Sequence, residues 1–161
     1  EPIVHNNTVA LEKLGWKGLL IDKHDLGCQR YRSSKYLKVD VTSKSFKDIL
    51  VKETPRQIID YISLDVDDFS VIALEQILSL NIIFKVMTFE HDFYIVKEER
   101  RAPSRRLLQN AGYFLLFEDV IGLKTEEQPW EDWWIHPDFF HSSILQKKSN
   151  NLWHYECINK L

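Results

Sequence analysis

Acidic residues recur in this sequence where apolar runs end. Asp22 follows Gly18-Leu19-Leu20-Ile21, Asp40 follows Tyr36-Leu37-Lys38-Val39, Asp65-Val66-Asp67 follows an Ile-rich run from residue 58, and Glu90-His91-Asp92 follows the run 82–89. A carboxylate at a strand end can accept two hydrogen bonds from the vicinal hydroxyls of a ribose, which is one reading of Asp22. The other reading is a turn or helix-capping acid. Asp40 could accept from an adenine amino group, or cap the turn before Ser43. Asp65 and Asp67 form an acid-x-acid pair. On a strand alternate residues point to opposite faces, but at its end both can turn to one ligand, and such hard oxygens suit Mg²⁺ or Mn²⁺. Asp68 is expected to face solvent and favour the next helix through its dipole. In Glu90-His91-Asp92 an imidazole that titrates near neutrality could take a proton from a hydroxyl nucleophile, or the triplet could be a structural turn. Arg100, Arg101, Arg105 and Arg106 form either a solvated helix face or a grip for an anionic group.

These residues need elements to position them. Thr8 is a candidate cap for a helix through Leu11 and Leu14 that Gly15 closes. Strands are predicted over 18–22, 36–41, 58–66, 82–89 and 113–117. Helices are predicted over 24–32, 43–52 and 71–80, the last capped by Ser70, and from Pro103 to Gly112. The last forty residues, with Trp130, Trp133, Trp134 and Trp153, read as an irregular segment over 124–161 packed on the rest. Strands that alternate with helices imply an α/β chain with a mostly parallel sheet. Right-handed crossovers gather the carboxyl ends of the strands at one edge, where ligands bind. Asp22, Asp40, Asp65, Asp67, Glu90, His91 and Asp92 are therefore expected at that edge.

Composition narrows the classes. The chain has 161 residues, 44% hydrophobic and 28% charged, with a net charge of −3, which fits one globular domain over 1–161 and does not indicate a strong electrostatic grip on nucleic acid. No apolar run is long enough to span a bilayer. Cys28 and Cys157 are far apart and form no CxxC pair, and His136 and His141 do not have metalloprotease spacing. No metal site is assigned, and a reducing cytoplasm is the expected compartment. Asn6-Asn7-Thr8 fits a glycosylation sequon, a pattern that arises often by chance. Met87 is the only methionine and Glu1 the first residue.

Taken in order, several segments resemble FkbM-type methyltransferases, S-adenosylmethionine-dependent enzymes of the class I, Rossmann-like fold. They are Asn6-Asn7-Thr8 with Leu11 to Asp22, Asp40-Val41-Thr42-Ser43, Ile59 to Asp67 as a fourth-strand motif, Phe84 to Asp92 as a fifth, Leu107 to Tyr113, and Glu131-Asp132-Trp133-Trp134 followed by Pro137. The resemblance implies a three-layer sheet, mostly parallel with a late antiparallel strand, and O-methylation of a hydroxyl on a sugar or small metabolite. It implies that Asp22 and Lys23 meet the cofactor's ribose, that Asp40 and Val41 meet its adenine, and that Asp65 lies near its methionine end. Asp67, Glu90 and His91 would face the acceptor, with His91 as base. The family's first strand and Gly-rich loop have no counterpart in this sequence. That strand belongs between the second and fourth, so the expectations are an omitted segment, a strand supplied by another chain (an oligomer is compatible with this), or a form that no longer binds cofactor. Two other classes compete: a glycosyltransferase whose Asp65 and Asp67 hold Mn²⁺ and a nucleotide sugar, and a non-catalytic binding module.

Overall fold

The structure is a computed structural model that describes residues 8–24, 27, 30–55, 57–122 and 128–161. It divides into two compact units, 1–55 and 56–161, where the sequence reading expects one domain. Among the described residues no helix is long and apolar enough to cross a membrane. Asn6-Asn7 of the sequon, Cys28, and much of the helix expected over 24–32 lie outside the described residues.

In the first unit, α1 (Val9–Lys13) ends where Gly15 adopts φ +89°, a left-handed turn that costs glycine little. Thr8 does not cap α1 with its side chain; its Oγ1 accepts from Arg32 Nη2 at 2.8 Å. Strands β1 (Leu19–Asp22) and β2 (Lys35–Lys38) pair in parallel, with Asp22 opposite Lys38. Helix α2 (Phe46–Glu53) buries Phe46 and Leu50. Glu12 gathers donors from Arg32 Nε at 2.9 Å, Ser33 Oγ at 2.9 Å and Ser34 Oγ at 2.6 Å, which hold its carboxyl down at about 2 despite some loss of water.

The second unit is α/β with a mixed five-stranded sheet. Its elements are β3 (Ile58–Leu64), α3 (Ser70–Leu78), β4 (Ile83–Glu90), α4 (Phe93–Val96), α5 (Glu98–Asn110), β5 (Phe114–Ile121), β6 (Pro129–Ile135), α6 (Ser142–Leu145), β7 (Ser149–Asn150) and α7 (His154–Lys160). The spatial order is β3-β4-β6-β5-β7. Strands β3 and β4 run parallel, β6 runs antiparallel between β4 and β5, and β7 runs parallel to β5. Trp134, Phe84, Phe89, Phe117, Leu74, Met87, Leu108 and Leu116 form its fully buried interior.

Three expectations need correction. The segment after residue 124 is not an irregular cover: Trp130, Trp133 and Trp134 belong to β6, an interior strand of the sheet. Its acids, Glu131 and Asp132, are buried with them, and this masked the apolar pattern of a strand. Helix α5 begins at Glu98, five residues before Pro103 (103 less 98). Proline forfeits one backbone bond there, while Glu98 and Glu99 suit the positive end of the helix. Ser70 does not cap α3 but is its first residue, and its Oγ accepts from the Val66 N–H at 3.1 Å.

Candidate functional site

The carboxyl ends of β3 and β4 and the start of β6 lie side by side in the second unit. Leu64 pairs with Phe89, so Asp65 follows at the level of Glu90, and Glu90 is the register partner of Glu131. Paired residues of neighbouring strands project to the same side, so Asp65, Glu90 and Glu131 form a row across three strands. Further back on that face the Tyr61 hydroxyl and Thr88 Oγ1 are 2.8 Å apart.

The row is electrostatically tense. Burial pushes the Glu90 carboxyl up to about 10, and the neighbouring Asp65 and Asp92 add to the shift. Glu90 therefore carries a proton at neutral pH. Asp65 is exposed as a residue, yet protein crowds its carboxyl; this loss of water, together with the charge of Asp67, raises it, while a hydrogen bond with Glu90 opposes the rise. Burial also drives Glu131 up to about 7, against the 2.6 Å hydrogen bond it accepts from Trp133 Nε1. The Tyr94 hydroxyl is raised by burial and then by Asp92 and Glu90. Asp67 is exposed in a short turn at φ +49°.

One guanidinium crosses this edge. Arg100, buried on α5, donates to Asp92 and, at 2.5 Å, to Asp68. It ties the turn after β4 to the turn after β3. Asp68 faces solvent, as the sequence suggests, with 81% of its side chain exposed, and it accepts from Arg100 at the surface.

Behind the row is a second network. Arg105 Nε donates to Asp132 Oδ2 at 2.7 Å, and its Nη2 donates to Asp132 Oδ1 at 2.8 Å and to Asp119 Oδ1 at 2.6 Å. Its Nη1 reaches Glu118 at 2.8 Å, and Arg101 Nη1 also reaches Asp119 at 2.8 Å. Asp132 is 0% exposed. Burial alone would raise its pKa, but His91 and Arg105 outweigh burial and hold it near 2. The four arginines are thus not one solvated face. Arg100, Arg101 and Arg105 are internal ion-pair partners, and only Arg106 is exposed.

His91 belongs to this second network. It is 0% exposed, its Nδ1 accepts the Phe93 N–H at 3.2 Å, and its Nε2 lies 3.5 Å from Asp132 Oδ1. That enclosure suits it to holding the turn after β4 and gives it no open approach to a substrate hydroxyl. Single atoms of His91, Asp119 and Asp132 lie within 4.8 Å of one another, a spacing that a cation could use. Arg105 Nη2 already bonds both aspartates there, so the cluster is compensated by guanidinium.

The remaining nominated residues lie in the first unit. Asp22 ends β1, and its Oδ1 accepts from the His24 N–H at 2.7 Å. Lys23 beside it is exposed. Asp40 is not at a strand end, because β2 stops at Lys38. It sits in a turn, where Thr42 donates to its Oδ1 from Oγ1 at 2.7 Å and from N at 2.8 Å, and those bonds lower its pKa. Val41 is buried in the core. A hollow of about 250 Å³ lined by Val9, Glu12, Lys13, Tyr31, Arg32 and Ser33 contains none of the nominated residues.

The geometry adds Asp119 and Tyr94 to the residues singled out in the sequence, and it gives Glu131, Asp132, Arg100 and Arg105 the partners that define their roles. The available sequence signal was the recurrence of arginine at positions 101 and 105, one helical turn apart, opposite an excess of acids. No family model matches the chain, no curated protein matches its sequence, and no solved structure matches its fold.

Proposed function

We propose that this chain is a methyltransferase-type domain that uses S-adenosylmethionine to methylate a hydroxyl of a sugar or small metabolite. The observation that carries the reading is β6, an antiparallel strand between β4 and β5 in an otherwise parallel array. A late antiparallel strand is what the resemblance to FkbM-type enzymes implies. Its quoted segments also follow the order of the elements: Ile59 to Asp67 runs along β3 and past its end, Phe84 to Asp92 along β4 and past its end, Leu107 to Tyr113 from the end of α5 to the residue before β5, and Glu131 to Trp134 on β6.

The donor sets fit such a cofactor in part. In the first unit, Asp22 has a second carboxylate oxygen beyond the one that takes the His24 N–H, and that oxygen suits a ribose hydroxyl. Lys23 stands beside it. Asp40 and Val41 fit an adenine contact less well, because the Asp40 carboxylate is engaged by Thr42 and Val41 is buried. When bound, S-adenosylmethionine supplies an electrophilic methyl group. This chain's residues would supply position. Asp65 and Glu90 hold a proton between them and so present both a donor and an acceptor to an incoming hydroxyl, with Asp67 at the rim. His91 would act through the turn it holds.

Calorimetry with S-adenosylhomocysteine tests the reading. Binding is expected, and Asp22→Asn, which keeps the turn acceptor but removes the charge, should weaken it about tenfold. Absence of binding removes the cofactor from the reading. Binding that Asp22→Asn leaves unchanged removes Asp22 from the ribose.

A further inference from the structure

Glu131 sits where β6 meets the C-terminal helix. It is 1% exposed, and among the described residues its one hydrogen-bond donor is Trp133 Nε1. The nearest basic group is His154, in the first turn of α7, with Nε2 4.0 Å from Glu131 Oε1. The other titratable groups that bear on Glu131 do not compensate a negative charge. Glu90 comes from β4, Asp65 from the end of β3, Tyr61 from β3, Asp132 from β6 itself and Cys157 from α7. Val120, its partner on β5, is apolar. Helix α7 is held over this place by its own contacts. Cys157 is fully buried with Phe117, Val120 and Trp133, and the His154 ring meets Trp133 edge-on at 5.3 Å.

We propose that α7 is a latch whose hold on β6 depends on Glu131 being neutral, and that ionisation of Glu131 loosens it. A neutral carboxyl accepts from Trp133 and leaves no charge under the helix. A carboxylate in the same place is a buried anion without a cation, and it can regain water only if α7 moves away. His154 does not rescue it. Partial loss of water lowers the imidazole pKa, which disfavours the charged form, and at 4.0 Å its Nε2 is beyond hydrogen-bond reach of the Glu131 carboxyl. The sign follows: a group whose pKa is higher when docked favours the docked form at low pH, and loses that preference as pH rises through about 7. None of this depends on which ligand the chain binds.

Hydrogen exchange of residues 154–160, corrected for the intrinsic pH dependence of amide exchange, tests the proposal on the full chain. Opening of α7 should be at least about tenfold more frequent at pH 8 than at pH 5.5. Glu131→Gln keeps the acceptor for Trp133 without the charge and should flatten the response. His154→Gln should retain it. Equal protection of the native chain at both pH values overturns the proposal, a result that needs no variant to fold. So does a response that persists in Glu131→Gln or disappears in His154→Gln.

Discussion

Arg105→Ala is expected to destabilise the 56–161 unit by about 3–5 kcal/mol in urea denaturation, the scale of breaking a buried ion pair from one side. Its guanidinium donates to Asp132, Asp119 and Glu118 at once. Asp132 is wholly enclosed, and without Arg105 only His91 and the Asp119 N–H would face its charge. The loss should therefore exceed any packing contribution from the arginine stem. Arg106→Ala, one residue along the same helix but exposed, should change stability by less than about 0.5 kcal/mol. Similar small effects at both positions would mean that water already screens the network.

A second large effect is expected with pH. The native state holds protons on Glu90 and Glu131, whose carboxyls are raised from 4.5 to about 10 and about 7. The unfolded chain releases those protons above its ordinary carboxyl range. Stability from these two groups is therefore greatest at mildly acid pH and declines as pH rises toward and past neutrality. Glu12 and Asp132 act in the opposite sense. Both are held near 2, so their contribution is present above the ordinary carboxyl range and is lost as pH falls through about 2. Unfolding free energy from urea titrations should peak near pH 5 and fall by on the order of 3 kcal/mol by pH 8, most of it from Glu131, since Glu90 is partly solvated, and the midpoint should fall with it. The double variant Glu90→Gln with Glu131→Gln should remove the decline. A midpoint that rises from pH 5 to pH 8 would contradict the protonated state of the row.

Much of this was legible in the sequence because it depends on local pattern. The apolar runs at 58–64 and 83–90 became β3 and β4, and their trailing acids gathered at one edge, since parallel strands must end together. What escaped depends on long-range compensation. Glu131 and Asp132 inside β6 look wrong for a buried strand until Trp133 and Arg105 are placed beside them. Arg100, Arg101 and Arg105 look like a solvated face until Asp92, Asp68 and Asp119 arrive from residues 8 to 32 positions away. His91 has the right type for a base, but residue type does not reveal enclosure. Asp40 shows the limit of reading strand ends, since β2 stops at Lys38 and not at 41, which turns a site acid into a turn acceptor.

The placement of β6 also matters for how the chain is made. During synthesis β4 and β5 emerge first, yet neither can complete its hydrogen bonding until residues 129–135 slot between them. A nascent chain that has just released Ile121 holds two apolar strands with a strand-wide gap, the kind of open edge that invites wrong pairing. The buried acids of β6 then serve in assembly as well as in the finished sheet. Asp132 has its partners on α5 and β5 already waiting, so the arginine network fixes the register of the last interior strand as it enters.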